Sequence, residues 1–122
     1  MANKTKILIV DDSMFQRRVL GDMLADNNFE VIQGKNGKEG IELFKNESPA
    51  IVLQDLLMPD ISGIEVIKEL KKLSENVKII VLSADIQQSV KEECENLGVI
   101  RFLNKPAKEK ELIEIINEAL KG

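Results

Sequence analysis

Short apolar runs punctuate the chain at near-even intervals: Ile7–Val10, Phe29–Ile32, Ala50–Leu53, Val77–Leu82 and Val99–Leu103. They are rich in branched aliphatics and apolar almost throughout, not alternating, which is the pattern of strands buried on both faces of a parallel sheet. The segments between them carry helical spacing. Ser13–Asp26 sets Phe15, Val19 and Met23 four apart with Leu20 and Leu24 beside them, and Lys38–Asn46 offers Ile41 and Phe44. Ile61–Leu73 offers Ile64, Ile67, Leu70 and Leu73; Asp85–Leu97 offers Ile86, Val90, Cys94 and Leu97; Lys108–Leu120 offers Leu112, Ile113, Ile116 and Leu120. Strands alternating with helices predict βαβ crossovers and a parallel sheet covered on both faces. Boundary residues agree: Gly34 and Gly37 break the second unit, Pro49 opens a strand, and Gly98 follows a helix. The expected architecture is a doubly wound (βα)5 fold in one domain spanning residues 1–122.

Composition narrows the class. A chain of 122 residues, 43% apolar, can bury a core without disulfide or metal staples. No apolar run exceeds four residues, so no membrane-spanning helix or signal peptide is expected. The single cysteine cannot form an internal disulfide and falls on an apolar helical stripe, where it reads as a buried small hydrophobe. Together these features predict a cytoplasmic protein. A formal charge of −4 disfavours broad binding to nucleic acid or anionic membranes. The absence of histidine excludes Ser-His-Asp triads and His-rich zinc sites, and the absence of Trp and Tyr removes stacking platforms.

Ligands of open α/β sheets gather beyond the carboxyl ends of the strands, so the residues just after each apolar run carry the functional prediction. They are Asp11 and Asp12, then Gln54 and Asp55, then Ser83 and Ala84, then Asn104, Lys105 and Pro106. In strand order 2-1-3-4-5 the first and third strands are neighbours, so three carboxylates converge near one hydroxyl and one ammonium. Carboxylates so placed repel one another, and oxygen-only ligands suit Mg2+. With Lys105 as anion partner and a carboxylate nucleophile, such a site is equipped to accept a phosphoryl group. Taken singly, Asp12 or Ser13 is a helix cap, Lys105 a surface lysine and Ser83 a turn residue. The functional prediction rests on four strand ends carrying complementary groups together.

These residues resemble the receiver domain of two-component response regulators, most closely its stand-alone, CheY-like form. The run Asp55-Leu56-Leu57-Met58-Pro59-Asp60-Ile61-Ser62-Gly63 is similar to the family's phosphoacceptor signature, Val10-Asp11-Asp12-Ser13 to its acidic pair, and Asn104-Lys105-Pro106 to its lysine-proline motif. The resemblance implies Asp55 as the phosphorylated residue, with Mg2+ held by Asp11, Asp12, Asp55 and the backbone carbonyl of Leu57. It implies Ser83 and Lys105 as phosphoryl partners, and Ser83 with Phe102 as the switch pair. It further implies a cis peptide before Pro106, with Leu57 and Asp85 flanking the approach of hydrolytic water. Two positions depart from the common pattern: Phe102 stands where Tyr is frequent, and Ala107 follows Lys-Pro where an aromatic is frequent.

Partners implied are a sensor histidine kinase or phosphotransfer protein upstream, since the chain has no histidine of its own, and a target protein downstream. Without a helix-turn-helix or basic recognition segment, signal is expected to leave by protein contact, through the fourth helix, fifth strand and fifth helix, from a monomer. Chemotaxis is one setting for such output. A flavodoxin-like FMN protein would place a Ser/Thr/Gly-rich turn where Asp11-Asp12 repels phosphate. A Mg2+-dependent aspartyl phosphatase would place a second Asp two residues after a nucleophile at Asp11, where Ser13 stands. A pseudo-receiver would have lost a site residue, and none is missing.

Overall fold

The computed structural model describes residues 4–84 and 87–122. Five strands alternate with five helices: β1 Lys6–Val10, α1 Met14–Asp26, β2 Glu30–Gly34, α2 Gly37–Glu47, β3 Ile51–Gln54, α3 Gly63–Leu73, β4 Lys78–Ser83, α4 Gln88–Asn96, β5 Arg101–Asn104 and α5 Glu109–Lys121. All pairings are parallel, in order β2-β1-β3-β4-β5. The doubly wound arrangement expected from the periodicity is therefore present. Among the described residues, no helix is long and apolar enough to cross a membrane.

Each face of the sheet supports its own core, because successive strand residues point to opposite sides. Ile7, Ile9, Ile51, Leu53, Ile80 and Leu82 pack with Leu20, Leu24, Leu112 and Ile116 under α1 and α5. Leu8, Val10, Val52, Ile79 and Val81 pack with Val66, Ile67, Leu70 and Cys94 under α3 and α4. Cys94 is fully buried, and burial together with the nearby Glu93 charge pushes its thiol pKa up, as befits a packing residue. Helix α4 closes with Gly98 at φ +92°, a conformation costly for residues with a Cβ.

The structure corrects several sequence expectations. Strand ends lie further toward their polar sides: β2 runs to Gly34, which pairs with Val10, and the break between strand and helix falls between Gly34 and Gly37 as expected. β5 starts at Arg101, since the Val99 N–H still closes the turn of α4 on the Cys94 carbonyl at 3.1 Å. Helix α1 turns Leu20, Gly21 and Leu24 inward and leaves Phe15 69% exposed. Five residues rotate a helix about 140° beyond a full turn, so Phe15 cannot share a face with Leu20. Leu73, at the last turn of α3, is likewise exposed. Of the expected helix Asp85–Leu97, Asp85 and Ile86 lie outside the described residues, and the helix occupies Gln88–Asn96.

Candidate functional site

Register brings the site together. Val10 is paired with Gln54, so Asp11 and Asp55 leave adjacent strands at the same level, and the Asp55 N–H donates to the Val10 carbonyl at 2.9 Å. Ser83 is paired with Asn104, and the Lys105 N–H donates to the Ser83 carbonyl at 3.1 Å. Four sequence-distant polar residues thus emerge at one end of the sheet.

Asp11 is buried and tightly held. Its Oδ1 accepts from the Ser13 N–H at 2.9 Å, and its carbonyl accepts from Arg17 Nη1 at 2.7 Å. Ser13 in turn caps α1, its hydroxyl accepting from the Gln16 N–H at 3.2 Å. Asp12 is exposed at the rim. Oxygens of Asp11, Asp12 and Asp55 lie within 4.8 Å of one another. Lys105 Nζ stands 2.7 Å from Asp11 Oδ2 and 3.5 Å from Asp55 Oδ1, with little of its side chain exposed. Three carboxylates therefore face one ammonium.

The electrostatic result shows at Asp55, whose carboxyl pKa is raised. Burial is the main cause and the Asp11 charge the second, opposed by Lys105 and the Leu57 N–H. A site with surplus negative charge, oxygen donors only and one exposed edge is suited to a hard divalent cation. The donor set fits a metal ion.

The Asp55 backbone is fixed from two sides. Gln54, fully buried, donates from Nε2 to the Asp55 carbonyl at 2.8 Å. Gly63, first residue of α3, presses on the same peptide: a Cβ there would land on the Asp55 carbonyl oxygen and lie 2.6 Å from Leu56 Cα. The glycine eight residues past Asp55 is thus required for α3 to sit against the strand end.

Ser83 is buried at the end of β4; its hydroxyl contacts the Ala84 carbonyl at 3.4 Å and makes no hydrogen bond to the carboxylates. Phe102 is half-buried on β5 with Lys91 Nζ 5.5 Å from its ring centroid. The Leu57 side chain is 75% exposed at the rim, while Asp85 lies outside the described residues. The Lys105–Pro106 peptide is cis.

Arg17 escaped the sequence reading, and Gln54 and Asp60 appear there without a role. Arg17 and Gln54 act on main-chain carbonyls. Asp60 accepts from the Gly37 and Lys38 N–H groups at 3.0 Å each. Slight desolvation opposes its ionisation, but the N–H groups of Lys38, Gly37, Ile61 and Asp60 itself hold its carboxyl below the usual range. Only the appearance of Asp60 inside a recognisable run, and of Asn36-Gly37-Lys38 at a helix start, hints at this link in the sequence.

Comparison with known proteins agrees with this geometry. The family model of the response regulator receiver domain matches residues 7–117. Chemotaxis protein CheY of Bacillus subtilis (strain 168) is 38% identical over 116 residues, covering 94% of this chain and 97% of that protein. A CheY-like response regulator receiver domain protein from Methanospirillum hungatei JF-1 superposes with TM-score 0.94 at 27% identity, covering 98% of this chain and 95% of that one. The CheX–CheY–BeF3–Mg2+ complex from Borrelia burgdorferi has TM-score 0.90 at 25% identity, with coverage of 95% and 89%.

Proposed function

This chain belongs to the response regulator receiver domain family, and from that membership we propose that Asp55 is its phosphoacceptor. The chain is a phosphorylatable, chemotaxis-like component of two-component signalling. The observation that carries the assignment of Asp55 is its position: a buried carboxylate beside Asp11, with the Lys105 ammonium 3.5 Å away.

A carboxylate oxygen of Asp55 attacks the phosphorus of a phosphohistidine on a partner. The P–N bond breaks, its electron pair returns to the imidazole, and an acyl phosphate forms on Asp55. Lys105 lies close enough to shift from the carboxylates to a phosphoryl oxygen, and Ser83 offers a hydroxyl hydrogen to another. Asp11, Asp12, Asp55 and the Leu57 carbonyl would hold Mg2+, which supplies charge neutralisation for the incoming phosphoryl group. As Ser83 turns toward the phosphoryl oxygen, the ring of Phe102 moves inward and alters the surface of α4, β5 and α5. That face is where a target protein docks. The chain works as a cytoplasmic monomer that promotes its own phosphorylation and slow hydrolysis, turning over no other substrate and contacting no nucleic acid.

Intact mass after incubation with acetyl phosphate and Mg2+ tests the assignment. The parent should gain one phosphoryl group, chelation should abolish the gain, and Asp55→Asn should show none. A phosphorylated Asp55→Asn protein would place the acceptor elsewhere.

A further inference from the structure

Helix α2 is capped twice, and only one cap is its own. Asn36 supplies the local one, its Oδ1 accepting from the Glu39 N–H at 2.8 Å, while Glu39 Oε1 accepts from the Lys35 N–H at 2.9 Å. The pair is like a capping box displaced by one residue, since Glu39 reaches the N–H of Lys35 rather than that of the N-cap Asn36 itself. The two foremost N–H groups, of Gly37 and Lys38, go instead to the carboxylate of Asp60 in the loop after β3. Ile61 lies so close over Gly37 that a Cβ there would meet Ile61 Cδ1 at 2.8 Å and Val66 Cγ2 at 2.9 Å. The loop is thus clamped onto α2 by two charge-assisted hydrogen bonds and by a close contact that a Cβ at residue 37 would push apart.

The clamp acts on a short piece of chain. Its upstream end is fixed at Asp55 by the Gln54 amide and the Val10 carbonyl. Its downstream end is fixed where the Gly63 N–H donates to the Leu56 carbonyl at 2.9 Å. Leu57 lies between, its N–H directed at the Asp55 carboxylate, but with its side chain 75% exposed no side-chain packing sets the direction of its carbonyl. We propose that Asp60 is a positioning residue of the phosphorylation site, mooring the 57–62 loop to α2 so that the Leu57 carbonyl faces Asp11, Asp12 and Asp55. The proposal rests on the reading that these groups hold a divalent cation.

The test compares Mg2+ affinity of the whole chain, by calorimetric titration, in the parent and in Asp60→Ala, Asp60→Asn, Asn36→Ala and Asp12→Ala. Asp60→Ala should weaken Mg2+ binding about tenfold, as loss of a group orienting a metal ligand commonly does. Asp60→Asn, which keeps one acceptor oxygen, should fall between it and the parent. Asn36→Ala removes a cap from the same helix without touching the loop, and should lose thermal stability yet keep parental Mg2+ affinity. Equal affinity in Asp60→Ala and parent, or an equal loss in Asn36→Ala, overturns the mooring. Failure of the parent to bind Mg2+, or undiminished binding by Asp12→Ala, overturns the cation reading itself and the mooring with it.

Discussion

Asp55 holds its charge against its surroundings. It is only 7% exposed and lies beside Asp11, so its carboxyl titrates above the ordinary aspartate range, through burial first and repulsion second. A raised folded-state pKa favours folding below the unfolded value of about 3.9. That contribution disappears as pH rises through the folded pKa, above which the native state bears a carboxylate it solvates poorly. In chelator at pH 7, Asp55→Asn should therefore melt above the parent by roughly 2–6 °C, the shift about 1 kcal/mol produces in a domain this size. The difference should shrink as pH falls below about 4; identical melting at pH 7 would show that the carboxylate is well solvated. Asp11, Asp12, Asp55, Ser83 and Lys105 stood out in the sequence because each lies one or two residues past an apolar run. Asp60 did not, because its partners are main-chain N–H groups 22 and 23 residues away. Gln54 does follow an apolar run, but its role was not legible there, its bond being to a carbonyl.

Helix α3 begins where β3 ends, and the two meet at backbone level through Gly63. Gly63→Ala has no flexible side chain to push aside, so either the helix or the Asp55 peptide must shift. The expected cost is about 2–3 kcal/mol, the upper range for overpacking, seen as a lower urea midpoint with little change in slope. A parental midpoint would mean that α3 slides freely along the strand end. Element types were readable from the 3.6-residue spacing and the buried runs, whereas rotational setting and strand ends were not. Phe15, Val19 and Met23 satisfy helical spacing as well as Leu20 and Leu24 do, and only docking against Ile7 and Ile9 decides which row faces inward. Gly34, Gln54 and Asn104 lack apolar character but remain in strands because each has a ladder partner.

For the molecule as a whole, the carboxylates bridge β1 and β3, neighbouring strands inside the sheet, each of which feeds both cores. An ion that binds only this assembled arrangement stabilises the fold by mass action, by about 2.7 kcal/mol at a hundred times its dissociation constant. Melting temperature should rise with Mg2+ and return on chelation; no response up to a hundredfold excess over the calorimetric dissociation constant would separate the cluster from folding. The short contact between Lys105 and Asp11 gives that response a second side. Without metal, the chain carries its own substitute counter-ion, and an incoming divalent ion must evict it. Loading the site is therefore an exchange of cations rather than the filling of an empty seat, and Lys105→Ala should enlarge the Mg2+-dependent rise in melting temperature. On the proposed reading, the same exchange should release the lysine for an anion.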